Sequence, residues 1–346
     1  MVYLYHTFFL IKRGMPISKT TKPKPMYAVV LRDAWRFTWH HPMLWLLGFF
    51  ALFIGHTGVF EIIGFVANEL NGQSMSAFSS GPVGSVVIPT IFGSQMLGLG
   101  GVGMLLVIRI LIAIIIVVAA VASSAALIHA ARKHHERELE TLSESWHHGI
   151  RHFWPVLFLN IFKKAWVFGT VWLLRIPLGH LLREDATGWH TALFITEFVV
   201  AIILALAVSF TVNYASMYII LEEEHLGRAV ADGWATLRKH WLISFELGAL
   251  LLLVQAVVGV LTIYSFYFVF GSFAGLSMVA SMLNAPGLVA TGFLVHVFMW
   301  FAFVSWVGAV FTTFAISSWT ILYTHFKNNK TAVGFLRRVF QLAFHA

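Results

Sequence analysis

A few charged side chains lie within long apolar stretches of this sequence, and they are the residues best placed to do chemistry. They are Glu61, Arg109, Lys163, Lys164, Arg175, Glu197 and Glu246. A charge inside a bilayer costs about 3 kcal/mol or more when it has no partner. Such side chains therefore bind one another, extend toward the interface, or bind a charged ligand such as a phosphate group.

Lys163 and Lys164 are the charges whose place in a bilayer is hardest to explain. They lie about 15 Å inside the third apolar stretch at 1.5 Å per residue. Glu246 is the nearest acid by depth, so we expect one lysine to contact Glu246 and the other to hold an anionic ligand. The alternative is a purely structural ion pair.

The remaining charges have simpler explanations. Glu61 and Arg109 fall near the outer ends of adjacent antiparallel stretches, where they could pair. Arg175 comes shortly before Pro177 and can extend its guanidinium to the outer surface. We include all three among the candidate ligand-binding residues.

A group of histidines offers a different chemistry. The chain has 17 histidines, and the group Glu144, His147, His148 and His152 has the spacing of metal ligands on one helix. The alternative is that histidines near a membrane surface act as partly charged anchors, and we favour it. We therefore expect no tight metal and no cofactor.

Composition indicates the elements that must hold these residues. Apolar residues make up 59% of the chain and charged residues only 11%, and there are no cysteines. Soluble domains carry about 25% charged residues. A soluble enzyme and a nucleic-acid-binding protein are therefore excluded, and the sequence predicts an all-α integral membrane protein. Six apolar stretches are long enough to span a bilayer: residues 43–66, 102–130, 153–178, 191–221, 241–270 and 291–326.

A repeated pattern precedes the first, third and fifth stretches. It centres on Trp35, Trp146 and Trp234, each with an acidic residue two positions earlier. Six positions after each tryptophan comes a histidine, namely His41, His152 or His240. This spacing places tryptophan and charges on opposite faces of a helix, as in a helix lying at the membrane surface. We treat these tryptophans and histidines as interfacial anchors.

The pattern predicts three pseudo-repeats, each an interfacial amphipathic helix followed by a transmembrane hairpin. The repeats cover residues 27–138, 139–225 and 226–326, between a disordered basic tail at 1–26 and a basic tail at 327–346. In this frame Lys163 aligns with Leu52 and Leu251.

Charge asymmetry predicts the orientation. Most of the 23 Lys and Arg residues fall in the two tails and in the connections that precede the third and fifth stretches. Cytoplasmic loops carry such an excess. We therefore expect a cell-membrane protein with both termini cytoplasmic. Its expected partners are anionic lipid head groups and other membrane proteins, with no nucleic acid.

Two runs resemble a known family. Residues 229–241, AVADGWATLRKHW, and residues 311–323, FTTFAISSWTILY, resemble the membrane-domain family of glycerophosphoryl diester phosphodiesterases and its relatives. In that family a separate barrel performs the hydrolysis. The resemblance therefore implies a polytopic membrane module and no catalytic residue in this chain.

Three functions follow from these observations. The first is a non-catalytic scaffold, assembly or regulatory module of the cell envelope, which we favour because no complete catalytic motif is present. The second is a transporter or lipid-handling protein with an anionic-ligand site near Lys163 and Lys164. The third is a membrane metalloenzyme built on the histidine group. A polar cavity at the two lysines would favour the second function over the first.

Overall fold

The computed structural model describes residues 26–54, 58–70, 99–136, 141–182, 187–283 and 285–328. Helix is the only regular secondary structure in these ranges. Apart from their innermost residues, the two predicted tails lie outside the described part of the chain. The helices, in chain order, are α1 Met26–His40, α2 Leu44–Ala51, α3 Val59–Leu70, α4 Leu99–His135, α5 Leu142–Arg151, α6 Phe153–Leu181, α7 Gly188–Glu222, α8 Leu226–Met282 and α9 Pro286–Asn328.

The predicted all-α membrane architecture is confirmed at this level. Within the described residues, α4, α6, α7, α8 and α9 are long and apolar enough to cross a membrane. Residues 27–40 and 44–54 form a pair bent by 111°, and counting this pair as one span gives six.

The first apolar stretch is not the single helix that its composition suggested. Helix α2 runs into a 3-10 turn, Leu52–Ile54, and α3 begins separately at Val59. Gly58, just before α3, has φ of +69°, a conformation that glycine adopts without strain. Helix α2 packs on α9, where a Cβ at Gly48 would lie 2.2 Å from Thr313 Oγ1. Helix α3 packs instead on α6 and α7.

The segments containing the three tryptophans are helical, as their spacing predicts. They are α1, α5 and residues 226–239 of α8. Each helical segment stops at the predicted histidine: α1 ends just before His41, while His152 and His240 leave helical geometry at φ of −98° and −122°. We call the end of the bundle that carries these segments the basic end.

A small buried residue precedes each of the three tryptophans. These residues are Ala34, Ser145 and Gly233. A Cβ at Gly233 would lie 2.9 Å from the backbone nitrogen of Ala215. Small side chains at these positions let each segment approach a long helix closely, a feature that the tryptophan pattern alone did not reveal.

Each segment docks on a long helix: α1 on α9, α5 on α4, and residues 226–239 on α7. The Trp35 ring of α1 lies 5.8 Å from Phe314 of α9. His148 of α5 stacks on His129 of α4 at 3.9 Å. Tyr218 of α7 shares a 2.9 Å hydrogen bond with Thr236 in residues 226–239. Each of the three contacts therefore joins a tryptophan segment to a helix outside its own predicted repeat.

Among the described residues, the buried apolar side chains of α4, α8 and α9 lie mainly toward the basic end. Those of α4 fall between Ala120 and Ala131. In α9 they begin at Ala309, and in α8 they stop at Leu251 except for Ala280. Beyond these points α4, α8 and α9 expose apolar side chains over long distances. A separate cluster joins α3, α6 and α7 in that half.

Candidate functional site

Residues of α2, α4, α6, α7, α8 and α9 line a cavity of about 80 Å³. This volume equals roughly five to eight spheres of water size. Most of its lining is apolar, and includes Ile54, Leu251 and Phe311. The polar lining residues are Ser124 of α4, Asn160 and Lys163 of α6, Asn213 and Ser216 of α7, and Gln255 of α8.

Lys163 is the charged residue in this lining, and it is only 4% exposed. Its position follows from the periodicity of α6. Val156, Leu159, Val167 and Val171 form a buried stripe on that helix, and Lys163 falls on the same stripe at the 3.6-residue period. The sequence pattern thus directs this ammonium group into the bundle rather than toward lipid.

Lys164 has a different environment, because it forms an ion pair with Glu61. Glu61 belongs to the first turn of α3, where a carboxylate is favoured by the helix dipole. A second contact joins the same helices, with Arg175 Nη2 at 3.9 Å from Glu69 Oε1. Two charge contacts therefore hold α3 alongside α6.

The charges of Lys164 and Glu61 both act on Lys163. A buried ammonium group of this kind favours a negatively charged or carbonyl oxygen as its partner, on the protein or on a ligand.

The pairing of Glu61 with Arg109 stays a prediction, and Glu61 has a contact that was not predicted. Glu61 lies beside Lys164, at the level of the cavity, because the break before α3 shortens the first stretch. Arg109 lies about 22 Å from Ser124 along α4 at 1.5 Å per residue. Glu246 is partly buried on α8, and the expected contact between a lysine and Glu246 stays a prediction. Glu197 is exposed on α7.

An ionic cluster at the basic end was not anticipated. Arg132 of α4 donates to Leu221 O at 3.0 Å and lies 3.4 Å from Glu222 Oε1. Lys327 of α9 pairs with the same glutamate. The cluster ties together the ends of α4, α7 and α9, and only the tertiary arrangement of these helices could reveal it.

The proposed histidine group has structural roles in α5. Glu144 and Thr141 form a capping box at its N-terminus, with Thr141 N donating to Glu144 Oε2 at 2.9 Å. The backbone hydrogen bond from Thr141 lowers the pKa of Glu144. His148 stacks on His129, while His147 is exposed. Among the described residues, no three His, Asp or Glu side chains are grouped to hold a metal ion.

The predicted anchor residues differ in exposure. Trp35 and Trp234 are 52% and 46% exposed, whereas Trp146 packs partly against α4. His41 Nε2 lies 3.2 Å from His134 Nδ1, and His240 stacks on Phe326 at 4.2 Å. His152 is buried, and burial lowers its pKa.

Comparisons of this chain with protein-family models, curated proteins and solved structures give no match. The resemblance to the phosphodiesterase membrane-domain family therefore rests on the two short runs described above.

Proposed function

We propose that this chain is a non-catalytic, polytopic cell-membrane protein that binds the anionic head group of a lipid in the cavity at Lys163. The proposal includes six spans in three pseudo-repeats, with the basic end and both termini on the cytoplasmic side. The observation that carries it is a buried lysine in the lining of a cavity that also presents amide and hydroxyl side chains.

Comparison of the predicted pseudo-repeats supports a functional role for the lysine at position 163. Leu52 and Leu251 occupy the corresponding positions in the first and third repeats, and Leu251 also lines the cavity. Leucine is therefore compatible with packing at this level of the bundle. A buried lysine costs free energy that leucine does not, and binding of an anion offsets that cost.

The other polar groups at the cavity suit a phosphate. Asn213 and Gln255 carry amide N–H donors, and both line the cavity. An ammonium binds phosphate as a point charge, so it does not demand the planar geometry of arginine. The cavity volume accommodates one phosphate group rather than a large polar molecule.

A scaffold function is the second candidate, and a different observation favours it. Aromatic rings pack the basic half of the bundle: Phe210 and Tyr214 of α7 lie 4.9 Å and 5.7 Å from Trp319 of α9. Such packing would support a rigid platform for other membrane proteins. This function does not explain a buried lysine, so we place it second.

Lipid-dependent thermal stability tests the proposal. Purified protein in neutral detergent is heated with phosphatidic acid or with phosphatidylcholine. A ligand at 100 times its Kd stabilises the folded state by about 2.7 kcal/mol. We expect phosphatidic acid to raise the Tm of the unaltered protein and to have little effect on Lys163→Leu.

Lys239→Met is the matched control, because Lys239 is an exposed lysine in residues 226–239. It should respond to phosphatidic acid like the unaltered protein. An equal rise in Tm for Lys163→Leu would disprove the site. Equal effects of the two lipids on the unaltered protein would favour the scaffold.

A further inference from the structure

Another cavity lies at the basic end of the bundle, where α1, α4 and α5 meet. It is open and has a volume of about 540 Å³. Its apolar lining includes Phe37, Leu44, Ala130 and Leu142. Its polar lining residues are His40, His41, His134, Thr141 and Ser145. We call it the histidine cavity, and it is separate from the cavity that Lys163 lines.

Ser145 is the buried polar residue of the histidine cavity. It is 1% exposed, and its Oγ has no hydrogen-bond partner among the described residues. A buried hydroxyl without a partner is destabilising. The residues that precede Trp35 and Trp234 are Ala34 and Gly233, so packing of these segments does not require a hydroxyl. A ligand in the cavity would supply the missing partner.

The amino-terminal turn of α5 also lines this cavity, through Thr141 and Leu142. Thr141 N donates to Glu144 Oε2 at 2.9 Å, and Glu144 N donates to Thr141 Oγ1 at 3.3 Å. The N–H groups of Leu142 and Ser143 have no acceptor within the helix. Such donors, with the helix dipole, favour an anion. The described lining of the histidine cavity contains no Asp or Glu, and Glu144 lines a different cavity.

The contact between His41 and His134 determines what their rings offer to a ligand. His41 Nε2 lies 3.2 Å from His134 Nδ1, and the rings of His134 and Phe37 lie 5.0 Å apart. One imidazole of a neutral pair donates in this contact and the other accepts. Whichever tautomers are present, one remaining ring nitrogen carries a hydrogen and the other a lone pair. The pair therefore suits a ligand that has both an acceptor oxygen and a hydroxyl.

We infer that the histidine cavity binds the phosphate group of a soluble molecule, either inorganic phosphate or a phosphomonoester that carries one P–OH group. The phosphate oxygens accept from the first N–H groups of α5 and from Ser145, and the P–OH group donates to the histidine pair. His40, His134 and Thr141 are exposed, so the site is open to water at the basic end. This inference does not rest on the proposed function, because Lys163 lines another cavity.

Two buried serines allow a matched test. Ser145→Ala removes the hydroxyl that lines the cavity. Ser123 of α4 is 0% exposed, and its Oγ also has no hydrogen-bond partner within the described part of the chain. Ser123 does not line the histidine cavity, so Ser123→Ala is the control. His134→Phe keeps a ring beside Phe37 and removes both ring nitrogens.

Equilibrium dialysis with radiolabelled inorganic phosphate tests the inference, using the full chain in neutral detergent at neutral pH. We expect saturable binding of one phosphate, weakened by about fivefold or more in Ser145→Ala and in His134→Phe. Ser123→Ala and Lys163→Leu should bind phosphate like the unaltered protein. Sulfate, which has no O–H group at this pH, should compete less well than unlabelled phosphate.

Each contrary outcome identifies a different error. Equal phosphate affinities of Ser145→Ala and Ser123→Ala, or no saturable binding by the unaltered protein, would overturn the inference. Loss of binding in Lys163→Leu alone would place the phosphate in the other cavity. Competition by an equimolar amount of phosphatidic acid would make a lipid head group the occupant and would overturn the soluble source.

Thermal unfolding without phosphate provides the folding control. Ser145→Ala should be at least as stable as the unaltered protein, because it removes a buried hydroxyl that has no partner. A lower Tm for Ser145→Ala would mean that the protein itself satisfies this hydroxyl, which would contradict the site.

Discussion

Lys163 and Lys164 are adjacent in sequence and have different surroundings. Lys164 pairs with Glu61, whereas Lys163 lines the cavity and is buried. The helix rotates by about 100° between neighbouring residues, which is enough to separate a structural charge from one facing the cavity. In the function that we propose, Lys163 binds the ligand and Lys164 is a structural partner of Glu61.

The pairing of Lys164 gives the first prediction. Lys164→Met leaves Glu61 without this partner in a mostly buried position, since the Glu61 side chain is 14% exposed. We expect a loss of about 1–3 kcal/mol in the free energy of unfolding, less than for a fully buried pair because Lys164 is partly exposed. Denaturation in mild detergent measures it.

A second substitution provides the control for this pair. Adding Glu61→Gln to Lys164→Met removes the lone carboxylate, so much of the lost stability should return. Additive losses in the double variant would show that the two side chains do not interact.

Histidine burial gives a pH prediction. Burial lowers the pKa of His152 below its ordinary value of 6.5. The unfolded chain then binds the proton more readily than the folded chain, so stability falls as pH drops from 6.5 through the folded-state pKa. We expect the Tm of His152→Gln to depend less on pH in this window than that of the unaltered protein.

His147→Gln is the matched variant, because His147 is exposed on the adjacent helix α5. Its Tm should follow pH as the unaltered protein does. An unchanged pH profile in His152→Gln would contradict the assigned role of burial.

At the scale of elements, the three docked segments depend on small residues at their contacts. Gly233→Ala places a methyl group 2.9 Å from Ala215 N and 3.0 Å from Thr211 O, both backbone atoms that cannot move aside cheaply. We expect a loss of about 1–3 kcal/mol from overpacking, measured by thermal unfolding.

Gly227→Ala tests the same substitution in open space, because a Cβ there meets nothing within 4 Å. Near the start of α8 it should be neutral or stabilise the protein by up to about 1 kcal/mol through helix propensity. Equal losses at both glycines would mean that docking of residues 226–239 on α7 does not limit stability.

The sequence predicts the positions of the helices better than the points at which an apolar stretch breaks. Tryptophan spacing located the three segments and the histidines at their ends, because local periodicity determines both. The break in the first stretch was missed, although Gly55, His56 and Gly58 inside an apolar run were an available signal. That break sets the depth of Glu61, so the Glu61–Lys164 pair was missed with it.

At the scale of the molecule, the asymmetry of Lys and Arg residues predicts an orientation. The chain has no cysteine, so a single introduced cysteine reports one position. Ser143 is exposed on α5 at the basic end, and Ser281 is exposed near the far end of α8. In intact cells we expect an impermeant maleimide to label Ser281→Cys and not Ser143→Cys.

Permeabilised cells provide the reference, since both variants should then be labelled. Labelling of Ser143→Cys alone in intact cells would reverse the proposed topology. The orientation of the protein would then not follow the asymmetry of its Lys and Arg residues.

In the function that we propose, Lys163 holds an anionic lipid within the bundle. Native mass spectrometry of protein extracted from its own membrane tests it most directly. We expect the unaltered protein and Lys239→Met to carry one tightly retained phosphate-bearing lipid, and Lys163→Leu to be folded and to lack it. Retention of the same lipid by Lys163→Leu at the same occupancy would contradict the account.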